Sequence, residues 1–250
     1  MRRLVFHLII VLGVLFYGEE AKADDAARQA MLALQDLLRS QTSTATYTMR
    51  VSTREWQRSM RFDAWDDRPG KRFFIRIIAP KKDRGTAHLK LGGNLWMYLP
   101  KLERDIRIPP SMMLSSWMGS DFTNDDLVKS ASVVDDYTHR IIARDAHTFT
   151  IESLPKADAP VVWGKLVHVI RNDGIPLSEA FYDEHGKKRR LLEFSDVGTM
   201  DGRKIPTLWT MHPLDEPGKQ TQLRIEQVRF DPQINDAVFT RANLKRTGRR

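Results

Sequence analysis

Apolar and polar residues alternate with a period of two over most of the chain, a pattern typical of half-buried β-strands. Turn-forming pairs such as Gly92-Gly93 and Asp201-Gly202 separate many of these segments. The candidate strands cover residues 47–52, 60–64, 73–78, 87–91, 94–99, 104–108, 138–144, 147–153, 165–171, 177–184, 189–197, 205–213 and 221–230. Because no strand–helix–strand alternation interrupts them, the sequence predicts a mainly β protein with few helices, built on one large antiparallel sheet.

One helix is predicted before the first strand. Residues 26–40 place Ala27, Met31, Leu34 and Leu38 at helical spacing along one face, and acidic residues stand at the start of the segment as caps. A helix with one apolar stripe buries that stripe against another surface. We therefore expect this helix to lie on the predicted sheet.

A central insertion, residues 109–130, interrupts the alternation. Five large apolar residues stand in it without a charge among them: Met112, Met113, Leu114, Trp117 and Met118. Two interpretations remain open, because such residues usually fill a core but also suit a mobile cover over a cavity that binds ligands of variable shape. Thr123 and Asp126 then have capping-box spacing, which predicts a short helix and explains the local aspartates better than a calcium loop does.

The first 23 residues have the character of a secretory signal. Arg2 and Arg3 precede an apolar stretch from Leu4 to Tyr17, and Ala21-Lys22-Ala23 has the form of a cleavage site. We predict a signal peptide at 1–23, a single domain at 24–250 and a periplasmic location. Residues 24–250 carry 37 Lys and Arg against 30 Asp and Glu, a net charge of +7, which in an exported protein favours anionic lipid or acidic partners over nucleic acid.

Candidate chemistry is sparse. The chain has no cysteine, and it contains no phosphate-binding glycine loop, no nucleophile elbow and no metalloprotease motif. Six histidines beyond the predicted signal are scattered through strands and turns without metal-ligand spacing: His88, His139, His147, His168, His185 and His212. The prediction is a protein that is not an enzyme, with no catalytic residues, no metal and no cofactor.

Three segments together resemble the LolA/LolB-like superfamily, and most closely its larger members, the outer membrane lipoprotein-sorting proteins. The first segment has Arg68-Pro69, Phe73-Phe74 and Pro80, and the second is the turn and strand at 92–100 with the sequence GGNLWMYLP. The third is the Gly-Ser-Asp-Phe run at 119–122, followed by Asp125-Asp126-Leu127. The resemblance covers most of the chain after residue 23.

The resemblance implies an incomplete, half-open β-barrel whose apolar concave face is covered by lid helices. Arg68 stands where the family has an arginine that holds the lid closed by hydrogen bonds to the lid helices. The apolar central insertion is a departure from the smaller members of the family, and its own residues lead us to assign it to the lid as well. Alternation places seven residues on one face, which we predict to be the concave, acyl-binding one: Tyr47, Met49, Met60, Phe62, Phe73, Ile75 and Ile77.

The function implied is that of a periplasmic carrier, which holds acyl chains of lipoproteins or related lipids and ferries them toward the outer membrane. Its partners would be an inner-membrane transporter and an outer-membrane acceptor. Two alternatives remain open: a regulatory module that senses lipid or lipoprotein, and an accessory subunit that delivers lipid to or from an exporter.

Overall fold

The computed structural model describes residues 24–129 and 132–246 and is dominated by antiparallel strands. Their bounds are β1 Thr42–Ser52, β2 Gln57–Asp67, β3 Arg72–Ala79, β4 Ala87–Leu91, β5 Asn94–Leu99, β6 Arg104–Arg107, β7 Tyr137–Arg144, β8 Thr148–Pro155, β9 Lys165–Arg171, β10 Pro176–Tyr182, β11 Lys188–Met200, β12 Arg203–Pro213 and β13 Gln220–Phe230. The prediction of a mainly β fold is confirmed. The predicted signal peptide at 1–23 lies outside the described residues.

All thirteen strands form one sheet in the order β6-β5-β4-β3-β2-β1-β13-β12-β11-β10-β9-β8-β7. Strands that follow each other in sequence are paired, except β6 and β7, and the two halves of the sheet are joined by the antiparallel pair of β1 and β13. The edge strands β6 and β7 do not pair with each other in the described part of the chain. The sheet is therefore curved but open, which confirms the incomplete barrel.

Helices are few, and all but the first are short. Residues 24–39 form α1, and the others are α2 Asn124–Lys129, α3 Val133–Asp136 and α4 Arg241–Leu244. The first helix and the capping box of α2 are as predicted: the backbone N–H of Thr123 donates to Asp126 Oδ2 at 2.7 Å, and that of Asp126 donates to Thr123 Oγ1 at 3.1 Å. No helix in the described ranges has the length and apolar character needed to cross a membrane.

The two faces of the sheet are covered by different parts of the chain. On one face, which we call the outer face, Phe74 and Leu89 pack against Phe239 and Leu244 of the C-terminal segment. The opposite, inner face carries α1, the central insertion and α3. Helices α1 and α3 share one apolar cluster of the sheet, the central insertion packs on a second, and all three contact a third. The space between these covering elements and the inner face is where a ligand site is possible in this fold.

Candidate functional site

A cavity of about 340 Å³ lies between the inner face of the sheet, α1 and the central insertion. Its lining comes from both halves of the sheet and is mostly apolar and aromatic. From β9 to β13 it includes Leu166, Phe181, Leu192, Phe194, Trp209, Met211 and Leu223, and from α1 it includes Met31, Leu34 and Leu38. This volume lies at the lower end of the range for small-molecule sites. The lining suits an apolar chain better than a polar metabolite.

The seven residues predicted to form the concave, acyl-binding face are divided between the cavity and the core beside it. Four of them line the cavity: Tyr47, Phe62, Phe73 and Ile75. The other three lie on the same face in the cluster that packs under the central insertion: Met49, Met60 and Ile77. These three are almost fully buried, so they support the cavity wall without forming its surface.

Helix α1 is fastened to the rim of the sheet by ion pairs at its C-terminal end. Arg39 holds Asp66 of β2 through Nε and Nη2, at 2.8 and 2.7 Å from Asp66 Oδ2. Arg68, just beyond β2, donates to the carboxylate of Asp36. Arg68 lies in the turn after β2, but its side chain is only 14% exposed. The covering element that Arg68 contacts is therefore α1.

Within the central insertion, Trp117 is part of the packed core. It is 3% exposed, meets the ring of Phe62 edge to face at 5.3 Å, and donates its indole N–H to His88 Nε2 at 3.3 Å. Burial lowers the pKa of His88 to about 4, which keeps the ring neutral and able to accept this bond. Trp117 also borders the cavity.

Polar contacts hold the central insertion on the sheet. Arg190 of β11 binds Asp126 with both terminal nitrogens at 2.8 Å, and its guanidinium lies 4.7 Å from the centre of the Phe181 ring. Thr221 of β13 donates to Asp121 Oδ2 at 2.6 Å. This anchoring favours the interpretation that the central insertion is permanently packed, and disfavours the interpretation that it is a mobile cover.

The four other residues of the predicted lid differ in exposure. Met113 and Met118 pack against the cluster around Trp117, whereas Met112 and Leu114 are 47% and 59% exposed. The exposed pair lies on the solvent side of the segment. Only part of the predicted lid therefore faces the sheet.

Sequence reasoning missed two polar residues on the cavity wall, His168 of β9 and Glu179 of β10. The signal was present in the pattern, because Glu179 stands between Leu177 and Phe181, and His168 stands between Leu166 and Ile170. A polar residue at an alternate position of an otherwise apolar face is directed to the same side as its apolar neighbours. In the described part of the chain, no group of three or more His, Asp or Glu side chains is arranged to hold a metal ion.

The structure is an open antiparallel sheet that wraps around a covered, mostly apolar cavity, and this fold is shared with a solved LolA superfamily protein. A family model described only as an uncharacterized protein matches residues 70–246, and the chain belongs to that family. None of the curated proteins matches the sequence.

Solved structures with the same fold include proteins from three bacteria. A DUF1329 family protein from Desulfovibrio piger is 23% identical, with a TM-score of 0.78 over 89% of this chain and 99% of the other. A protein described as an outer membrane lipoprotein-sorting domain, from Vibrio parahaemolyticus, is 22% identical, with a TM-score of 0.75 over 89% and 100%. A LolA superfamily protein from Nitrosomonas europaea is 17% identical, with a TM-score of 0.73 over 87% and 98%. The fold expected from the sequence resemblance is confirmed.

Proposed function

We propose that this protein is an exported carrier that shields the acyl chains of lipoproteins or related lipids between two membranes. The observation that carries the proposal is the covered apolar cavity, which is lined by aromatic and aliphatic side chains from both halves of the sheet. Each methylene group removed from water contributes about 0.8 kcal/mol, so an acyl chain gains its binding energy from such a lining without any specific polar contact.

The cover over the cavity fits reversible loading. Helix α1 buries an apolar stripe, including Ala27 and Met31, against the sheet. At its other end, charged contacts such as Arg39 with Asp66 hold it to the rim. The apolar residues at this end of α1, Leu34 and Leu38, are only partly buried, whereas the central insertion places Trp117 in the core. Opening at the α1 rim would therefore cost less than displacing the central insertion, and we place the entry for an acyl chain there.

Transport by such a carrier requires only that its donor and its acceptor bind the cargo with different affinities. A carrier moves cargo only from a donor that holds it less tightly to an acceptor that holds it more tightly. A transporter in the inner membrane and an acceptor at the outer membrane would fill these two roles. A net charge of +7 over residues 24–250 would also favour encounters with anionic headgroups.

The test is binding of Nile red, a neutral dye that fluoresces in apolar surroundings, and its displacement by dodecyl amphiphiles. Ala64 lines the cavity and is half-buried, so Ala64→Phe should fill space that the dye needs without placing a charge in the core. We expect at least tenfold weaker dye binding in this variant. Phe62→Glu and Ile75→Glu should abolish binding, provided the far-ultraviolet circular dichroism of the strands is retained.

The matched controls carry the same substitutions at exposed positions of β7, Ala143→Phe and Ile142→Glu. Both should bind the dye as the wild type does. Equal affinity in Ala64→Phe and Ala143→Phe, or no saturable dye binding by the wild type, would reject the cavity as the lipid site.

A further inference from the structure

Two polar side chains face each other on the part of the cavity wall that β9 and β10 form, which is otherwise mostly apolar. His168 on β9 and Glu179 on β10 are directly paired across the two strands, and both line the cavity. Their next partners in the same row are Ile151 on β8 and Leu192 on β11. Polar groups placed in an apolar site usually fix the orientation and the identity of the ligand.

A chain of buried hydrogen bonds sets the protonation of His168. Because a carbonyl oxygen only accepts, His139 must donate from Nε2 to Val134 O, a contact of 3.4 Å. Burial lowers the pKa of His139, so its ring is neutral and its Nδ1 accepts from Ser153 Oγ at 2.8 Å. Because the Ser153 hydroxyl uses its hydrogen in the bond to His139, Ser153 Oγ acts as the acceptor in its contact with His168 Nε2 at 3.1 Å.

The consequence is that His168 carries its proton on Nε2 and offers Nδ1 as an acceptor. Burial, assisted by the nearby His139 ring, lowers the pKa of His168 to about 3, so the ring stays neutral. In the described residues no donor reaches His168 Nδ1. The side chain is only 2% exposed, and the cavity is the space it borders.

Glu179 is likewise without a partner in the part of the chain that the structure describes: no hydrogen bond or ion pair engages its carboxylate. Burial, and next the negative charge of Asp126, raise the pKa of Glu179 to about 7, while Arg190 opposes this rise. Burial destabilises the ionised form of such an acid. A partner that donates a hydrogen bond or brings a positive charge therefore stabilises that form most.

Cations near the cavity are already engaged by carboxylates. Arg190 is bound to Asp126, and Arg39 is bound to Asp66. Asp125 adds a further acidic side chain to the cavity lining. Among the described lining residues the cation is Arg39, which Asp66 already binds, so a carboxylate head would have to compete with Asp66 and would meet further acceptors and negative charge at this wall.

We infer that His168 and Glu179 form a recognition point for a hydrogen-bond donor on the cargo, an ammonium, hydroxyl or amide N–H group, and that the cavity rejects lipids with a free carboxylate head. The inference rests on the proposed carrier function and names the head-group chemistry of its cargo. His168 Nδ1 and the Glu179 carboxylate would both accept from the donor, while the apolar lining holds the chain.

The experiment compares three probes with the same chain: dodecylamine, dodecanol and dodecanoate. Each competes with Nile red for the wild-type protein at pH 8, where Glu179 is mostly ionised. A charge-assisted hydrogen bond predicts that dodecylamine binds at least about tenfold tighter than dodecanoate, with dodecanol between them. In Glu179→Gln the preference for the amine over dodecanoate should fall to less than about threefold.

The matched control is Glu226→Gln, which removes the same charge from an exposed position of β13 and should keep the wild-type preference. Equal binding of amine and carboxylate by the wild type, or an unchanged preference in Glu179→Gln, overturns the inference while leaving the proposed acyl site standing. Failure of all three probes to displace the dye would reject the proposed function itself. Glu226→Gln with a lost preference would show that net charge, and not Glu179, selects the head group.

Discussion

Glu179→Gln is predicted to make the protein more stable, and only at pH values above the range in which an ordinary glutamate titrates. The pKa of Glu179 is raised from 4.5 to about 7 in the folded protein, mainly by burial. Between these two values the folded protein binds a proton that the unfolded chain releases, so wild-type stability falls as the pH rises from about 4.5 through 7. Gln resembles the protonated acid and does not pay this cost.

The magnitude follows from the difference between the two pKa values. Each pKa unit is worth about 1.4 kcal/mol, so the full effect is about 3 kcal/mol in the free energy of unfolding. Glu179→Gln should match the wild type within about 0.5 kcal/mol at pH 4 and exceed it by up to about 3 kcal/mol at pH 8. Such a gain on removal of a polar group is typical of residues kept for binding.

The assay is urea unfolding of wild type and variant at pH 4, 6 and 8, followed by circular dichroism. The exposed substitution Glu226→Gln is the control and should give a difference that does not change with pH. A Glu179→Gln difference that stays flat from pH 4 to 8, or a variant less stable than wild type at pH 8, would refute the argument that burial holds this carboxyl protonated.

Three further predictions concern the covering elements. Arg68→Leu and Asp36→Asn remove the same contact, and each should speed hydrogen exchange in helix 24–39 and release of bound dye; unchanged exchange in both would mean that this contact does not hold the helix. Trp117→Ala should lower the free energy of unfolding by about 3–5 kcal/mol, as for a large core side chain, whereas the exposed Leu114→Ala should cost less than about 1 kcal/mol. Exchange across 111–126 should be slow with and without lipid, and fast exchange that slows on lipid addition would restore the mobile-cover interpretation.

The strands were predictable because their pattern is local. The ranges 87–91, 94–99 and 165–171 match β4, β5 and β9 residue for residue, since turn residues or charged residues end the alternation there. The short helices α3 and α4 were not predicted. Each has only four residues and forms where tertiary contacts bury Val134 or Leu244. Segments of that length have too little periodicity to be read from sequence.

The cavity was predictable only in part. Tyr47 and Phe62 were placed on its wall by alternation in β1 and β2. The role of Arg190 depends on Asp126, which is 64 residues away in the chain, and such pairs leave no local signal. His168 and Glu179 become neighbours through the register of β9 and β10, which the alternation of either strand alone does not fix.

The central claim is that this cavity holds a lipid chain, and native mass spectrometry of the full protein, purified without detergent from the cells that produce it, tests that claim most directly. The account predicts protein molecules with the added mass of a bound lipid, and denaturation should release lipids with hydrogen-bond-donating head groups. It also predicts that Ala64→Phe loses the lipid-bound form while Ala143→Phe keeps it. Identical bound lipid in both variants, or wild-type protein that carries no lipid and takes none up from added dodecylamine or dodecanol, would contradict it.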